Sequence, residues 1–216
     1  MKKNKEKGIM YFIWFLVILV VAVGIWVIVD KFNVAKNEPY PYTIYNDYVI
    51  YEIKDDKSLR YLVDVYANGG NKYSHYFKVY PTDLLNIPYE EGIKNKILYK
   101  NFNNGLKKDK IYFSYDPIMD GSEILSSGTL IQILGNSNSG VYKIPVVVSM
   151  TKDDGNSDFP IKTCDDATQE VGVIELRYGE PKIYSEGECV IIQGSNREEF
   201  INVNDLLSYV LLGVVE

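Results

Sequence analysis

The sequence predicts a mixed-sheet domain of the α+β or α/β class behind one N-terminal transmembrane helix. Three observations predict it: a long apolar run near the N-terminus, three strand-like runs joined by short turns, and a strand–helix–strand pattern in mid-chain. We divide the chain into a basic leader (1–8), a membrane span (9–29), a stalk (30–46) and an extracytoplasmic domain (47–216) that ends in a helix.

The apolar run extends from Ile9 to Val29 and contains neither a charged residue nor a proline. As a helix it reaches roughly 31 Å, enough to cross the ~30 Å hydrocarbon core of a bilayer. Trp14 and Trp26 lie near its two ends, where amphipathic rings favour the membrane interface. We therefore expect this run to anchor the chain in a lipid bilayer.

The lysines around the span predict its orientation. Lys2, Lys3, Lys5 and Lys7 precede it with one opposing acid, whereas only two lysines lie in the ten residues that follow it. Because positive charge near a span favours the cytoplasmic side, we expect the N-terminus inside and the domain outside the cell membrane.

Two other interpretations of the N-terminus stay open. One is a cleaved secretory signal, although the apolar run is longer than such signals usually are. The other is a type IV pilin-like subunit that is processed after Gly8, because Lys7 and Gly8 stand directly before the run. In that case Ile13 occupies the fifth mature position, where pilins usually have glutamate.

The charge balance excludes nucleic acid as a partner. The chain has 23 basic and 29 acidic residues, and because the leader is basic the remainder is more acidic still. Phosphate recognition needs a basic footprint.

The first part of the domain predicts an antiparallel meander, with strands over Tyr48–Lys54, Leu59–Tyr66 and Tyr73–Tyr80. Short turns join them, and alternation places Val63, Val65 and Phe77 on apolar faces. His75 is the only histidine in the chain. Since it shares a face with apolar residues, we interpret it as a packed side chain rather than a catalytic one.

The middle of the chain predicts one βαβ crossover. Strands over Ile111–Tyr115 and Ile144–Ser149 flank a helix that begins at Asp120 and ends near Gly135, which makes the two strands parallel neighbours. Before them we expect a short helix after Pro81 and a short strand over Lys96–Tyr99.

The last third predicts three short strands and a closing helix. The strands cover Val171–Arg177, Lys182–Ser185 and Cys189–Gln193. The helix begins with Ser195 as its N-cap, has Glu198 reaching back, and runs to about Leu212. Its core-facing stripe consists of Phe200, Val203, Leu207, Val210 and Leu211.

The only two cysteines, Cys164 and Cys189, both fall in the predicted outer domain. An even pair in an oxidising compartment indicates a disulfide. Two buried free thiols or a redox couple are the alternatives, and the second is disfavoured because there is no C-x-x-C spacing.

The C-terminal segment resembles a family. A cysteine in a loop, then Gly187 to Gly194 around Cys189, then a helix with Asp205 to Tyr209 and Leu211 to Gly213 is similar to a recurring tail of single-pass archaeal membrane proteins. The resemblance covers about a quarter of the chain. It implies a paired-cysteine outer domain in an archaeal envelope and carries over no activity and no functional residue.

The most site-like group of residues is Asp116, Asp120 and Glu123. In open α/β sheets ligands bind at the carboxyl ends of strands, where Asp116 would lie, and carboxylates there could hold Mg²⁺ or Ca²⁺. The alternative is that Asp116 forms a turn and Asp120 caps a helix. No catalytic motif is present, and we expect no cofactor.

We therefore predict a non-enzymatic, membrane-anchored, extracytoplasmic interaction or assembly module of the cell envelope, with an envelope protein as partner. The alternatives are a metal-assisted hydrolase or transferase at Asp116 and Asp120, and the pilin-like subunit.

Overall fold

The computed structural model describes residues 16–24, 40–56, 58–101, 105–155 and 157–216. It divides into two compact units, Met1–Pro41 and Tyr42–Glu216. In the first unit, residues 16–24 are helical and exposed. Over the described ranges, no helix is both long enough and apolar enough to span a bilayer. The leader, the rest of the predicted span and residues 30–39 of the predicted stalk lie outside the described residues.

The second unit begins with a four-stranded antiparallel sheet. Its strands are β1 (Tyr42–Tyr45), β2 (Tyr48–Lys54), β3 (Leu59–Ala67) and β4 (Asn71–Phe77), in that order across the sheet. The predicted meander is confirmed. Strand β1 is a correction, because we assigned its residues to the stalk; the folded unit starts at Tyr42 rather than at residue 47.

A five-stranded mixed sheet follows, with the order β6-β5-β7-β9-β8. Its strands are β5 (Lys110–Tyr115), β6 (Val146–Met150), β7 (Val171–Tyr178), β8 (Lys182–Glu186) and β9 (Cys189–Gly194). Strands β5 and β6 are parallel neighbours, as predicted, and only the pairing of β8 with β9 is antiparallel.

The crossover helix is interrupted where one helix was predicted. It consists of α2 (Gly121–Ile124), a 3₁₀ turn (Leu125–Ser127) and α3 (Gly128–Leu134). Ser126 Oγ donates to the Glu123 carbonyl at 2.5 Å. Such side-chain bonds compete with the hydrogen bonds of a regular helix. Gly128 destabilises the helix further, because glycine has a low helix propensity.

The strand expected over Lys96–Tyr99 is wrong, because most of this range belongs to helix α1 (Ile93–Leu98). Ile93 and Ile97 are buried four residues apart on one face of this helix. The short helix expected after Pro81 is a 3₁₀ turn, Pro81–Leu84.

The closing helix α4 (Arg197–Leu212) has the predicted extent, but its cap differs. Asn196, not Ser195, is the N-cap, and its Oδ1 accepts from the amides of Glu198 and Glu199 at 3.0 and 3.1 Å. Glu199, not Glu198, reaches back to the amide of Ser195 at 2.8 Å.

Helix α4 lies between the two sheets. On one side the Tyr209 ring stacks on Phe77 of β4, with 4.0 Å between ring centroids. On the other side the helix packs on β9 and β8. Every residue from Val203 to Leu212 is buried, so this helix forms the centre of the core.

Candidate functional site

The three acids predicted as a site follow the carboxyl end of β5. The strand order of the sheet reverses at this strand, because β6 and β7, the next two strands in the chain, pair with its opposite edges. Asp116 Oδ1 accepts from the Ile118 amide at 3.0 Å, and its Oδ2 pairs with Lys152 at 3.1 Å. Asp116 therefore stabilises its own turn and one exposed ion pair.

Asp120 and Glu123 form the capping box of α2. Asp120 accepts from the Ser122 amide at 2.8 Å, and Glu123 accepts from the Asp120 amide at 3.0 Å. The hydrogen bonds from Ser122 lower the pKa of Asp120. Glu123 also accepts from the Tyr178 hydroxyl at 2.5 Å, which raises the pKa of Tyr178 to about 12.

The three carboxylates do not converge as metal ligands. Within the described ranges, one set of acidic, histidine or cysteine ligand atoms lies within 4.8 Å of one another, and it excludes all three acids. The geometry therefore favours the turn-and-cap interpretation.

That one set consists of Cys164, Cys189 and Glu175. The two sulfurs form the predicted disulfide, which is thereby confirmed. Glu175 accepts from the Cys164 amide at 3.2 Å and from Arg177 Nε at 2.5 Å, and the Arg177 guanidinium also lies 3.3 Å from the Cys164 sulfur. The carboxylate is neutralised by arginine and holds the disulfide loop against β7.

His75 is fully buried, as its apolar surroundings predicted. Neither ring nitrogen has a partner at full hydrogen-bond geometry in the described part of the chain. Burial lowers the pKa of His75, and the nearby Gln132 side chain partly offsets this effect. The hydroxyls of Ser127 and Ser208 are equally buried and without partners among the described residues. All three side chains are therefore shielded from solvent.

A cavity of about 540 Å³ lies beside the end of helix α4, with Lys94 and Val215 in its lining. Burial lowers the pKa of Lys94. Its ammonium lies 3.6 Å from where a Cβ on Gly213 would be, at the negative end of the α4 dipole. The attraction between the Lys94 ammonium and the negative end of helix α4 therefore explains the position of this side chain.

The outer face of the antiparallel sheet is a surface of the described chain for which the fold gives no structural role. Alternation directs Val63, Val65 and Phe77 into the core and the other side chains outward. We call the outward set the tyrosine face. It comprises Tyr42, Ile44, Val49, Tyr51, Ile53, Arg60, Leu62, Asp64, Tyr66, Lys72, Ser74 and Tyr76.

A row of apolar and aromatic side chains crosses all four strands of the tyrosine face. The register pairs Tyr42 with Tyr51, Tyr51 with Leu62, and Leu62 with Tyr76. The rings of Tyr42 and Tyr51 contact each other, with centroids 6.1 Å apart. On the same face, Ile44 lies in the rank next to the row and Tyr66 lies two ranks from it, and these residues are 68% and 69% exposed.

Ion pairs surround the row. Arg60 pairs with Asp55 at 3.0 Å and lies over the Tyr76 ring at 5.3 Å. On the other side of the row, Lys72 pairs with Asp64 at 2.7 Å. The charges of the tyrosine face are therefore balanced, and its centre is apolar.

Sequence reasoning did not find the tyrosine face. Alternation along these strands indicates the core side, and the outward positions of a single strand do not show which residues of the other strands lie beside them. The available signal was that Tyr51, Leu62, Tyr66 and Tyr76 are apolar or aromatic where an outward face is usually polar.

Comparisons with protein-family models, curated proteins and solved structures gave no match to this chain. The fold and its surfaces define a two-sheet α+β domain that presents an aromatic sheet face.

Proposed function

We propose that the protein is a membrane-anchored, extracytoplasmic interaction or assembly module of the cell envelope that binds a protein partner through the tyrosine face. The observation that carries the proposal is the continuous row from Tyr42 to Tyr76, with Ile44 and Tyr66 exposed on the same face. Tyrosine is enriched at protein interfaces because its ring is apolar and its hydroxyl remains hydrogen-bonded.

The chemistry-bearing side chains support a non-enzymatic role. Asp116, Asp120 and Glu123 hold a turn and a cap, and Glu175 holds the disulfide loop. The anchor and the outward orientation rest on the apolar run Ile9–Val29 and the lysines before it.

A matched pair of variants tests the surface. In the full chain, Ile44→Ser with Tyr66→Ser removes two exposed apolar side chains from the tyrosine face. Leu125→Ser with Ile118→Ser removes two from elsewhere, where they are 80% and 70% exposed. Chemical cross-linking in native membranes, followed by recovery of the tagged chain, measures partner capture.

We expect the first pair to lower capture roughly tenfold or more, as loss of about 1.4 kcal/mol implies, and the second to leave it unchanged. Equal capture by both variants would contradict the proposal. Retention in the membrane after alkaline extraction, with the domain open to external protease, tests the anchor and its orientation.

The metal-assisted hydrolase or transferase alternative has one observation in its favour, which is that Asp116 lies at the switch point of the mixed sheet. A melting temperature that rises with Mg²⁺ or Ca²⁺, and no longer does so in Asp116→Asn, would favour it over the interaction module.

A further inference from the structure

We infer that the partner of the tyrosine face is a second copy of this chain, packed face to face about a two-fold axis along the row Tyr42–Tyr51–Leu62–Tyr76. This inference rests on the proposed function, since it names the partner for the same surface. Three features of the face carry it: the positions of its charges, its neutrality, and its modest size.

The charges of β3 are placed for self-recognition. Arg60 and Asp64 point outward two residues before and two residues after Leu62, which belongs to the row. At ~3.3 Å per residue, each lies roughly 7 Å from the row, on opposite sides of it. A two-fold rotation about the row exchanges the two sides, so each Arg60 opposes the Asp64 of the other copy.

The resulting charge pattern continues across the interface. Within each chain Arg60 already pairs with Asp55. The Asp64 side chain, which is 9% exposed, pairs with Lys72 and accepts from Ser74 Oγ at 2.6 Å, so it presents only its outer edge to the other copy. The rotation therefore forms alternating networks of positive and negative groups around an apolar centre. This is the self-complementary arrangement that an isologous interface requires.

The neutrality of the face also favours a copy over an unrelated partner. Two bases and two acids, counting Asp55 in the β2–β3 turn, make a balanced patch on a chain whose formal net charge is −6. A strongly acidic or strongly basic partner would leave half of these charges opposed by like charge, which disfavours association.

The size of the face predicts weak association in solution. Four strands spaced ~4.8 Å apart, with about seven residues at ~3.3 Å each, make a surface of roughly 19 by 23 Å. The area of this surface is below the ~800 Å² that each partner buries in a stable interface. Anchoring both copies in one membrane raises their effective concentration, so the association belongs to the membrane-bound chain.

The test uses the full chain in liposomes. A residue on the two-fold axis faces its own copy, so Leu62→Cys is expected to form a disulfide-linked dimer under mild oxidation. Leu125→Cys, which is 80% exposed and lies off the face, is the control and is expected to stay monomeric. The native Cys164 and Cys189 are bonded to each other and do not interfere.

Charge substitutions in the Leu62→Cys chain test the arrangement itself. Arg60→Asp and Asp64→Arg each place like charges opposite one another in a symmetric pair, and each is expected to lower the cross-linking rate about tenfold. When the two variants are mixed with tags of different size, both contacts of the mixed pair are attractive. Cross-linking between different chains is then expected to return to within about twofold of the unsubstituted rate.

The mixture excludes a folding defect as the cause, because the same chains are compared alone and together. No dimer with Leu62→Cys, or a mixture that cross-links no faster than its components, would overturn the inference. In that case, if the variant Ile44→Ser with Tyr66→Ser no longer captures an envelope protein other than this chain, the proposed function stands. If its capture is unchanged, the proposed function and this inference are both wrong.

Discussion

Asp205 is a buried carboxylate in the centre of α4. Its Oδ2 accepts from the amides of Lys78 and Val79 at 2.8 and 3.1 Å, so it attaches the end of β4 to the helix. Burial raises its pKa from 3.8 to about 7 despite these two bonds. Below about pH 7 the protonated form is therefore favoured in the folded chain.

This shift predicts a pH dependence of stability. Because the folded pKa of Asp205 lies above the unfolded one, its contribution to the free energy of unfolding is complete below about pH 4 and is lost as the pH rises through about 7. At about 1.4 kcal/mol per pKa unit, the loss is on the order of 4 kcal/mol. Asp205→Asn, which resembles the protonated acid, should remove this slope in urea unfolding measured from pH 4 to 8. An unchanged slope would contradict the assignment.

His75 predicts a slope of the opposite sign. Burial lowers its pKa, so the unfolded chain binds the proton more readily than the folded one. Its contribution to stability is present above about pH 6.5 and is lost as the pH falls below that value. His75→Phe should therefore reduce the loss of stability at acid pH. The pH dependence of the free energy of unfolding near neutral pH should stay unchanged. Below about pH 6.5 the slopes of Asp205 and His75 oppose each other in the wild type, so each single variant should reveal the slope of the other group.

At the scale of elements, the stability of helix α4 depends on the conformation of its C-terminal cap. Gly213 has a φ of +79°, and its amide donates to the Val210 carbonyl at 3.1 Å. Any other L-residue is strained in this conformation.

Gly213→Ala should lower the free energy of unfolding by about 1 kcal/mol. Gly121→Ala is the control, because a Cβ there meets no atom within 4 Å and no positive φ is needed. Urea unfolding of the two variants measures the difference, and equal losses would argue against a role for the left-handed cap.

The disulfide attaches the loop before β7 to strand β9. Cys164 and Cys189 are 25 residues apart, so loop-closure entropy predicts a contribution of roughly 3 kcal/mol. The double variant Cys164→Ser with Cys189→Ala should lose about this amount. Reductant should lower the stability of the wild type similarly and leave the double variant unchanged. A variant that reductant still destabilises would point to another cause.

At the scale of the whole molecule, the unit Tyr42–Glu216 contains both sheets and the helix between them. We expect a fragment of residues 40–216 to fold with the thermal midpoint of the full chain, since the described residues that form its core or pack against it begin at Tyr45. Circular dichroism during heating measures this. A fragment that melts without cooperativity would show that the N-terminal unit contributes to the fold.

Local patterns were sufficient for several elements. Short turns and alternation located β2 and β3, the flanking valines and β-formers located β5 and β6, and Gly213 located the end of α4. These features depend on neighbours within a few residues, so the sequence alone contains the information. The disulfide could also be predicted from the sequence, because there are only two cysteines and each therefore has one possible partner.

Patterns that depend on distant contacts were not sufficient. The stripe predicted for α4 is buried, but so are its other faces, because two sheets enclose the helix. Lys96–Tyr99 has strand-forming neighbours, yet the burial of Ile93 and Ile97 favours a helix. Strand β1 is formed only because β2 lies beside it.

The sequence by itself determined the apolar run, the acidic balance, the meander, the crossover and the cysteine pair, since each is a property of neighbouring residues or of composition. Only the tertiary structure decided that Asp116, Asp120 and Glu123 hold a turn and a cap, that Asp205 is buried, and that outward side chains of four strands align in one row. The physical reason is that convergence, burial and cross-strand register are set by pairing between segments far apart in the chain.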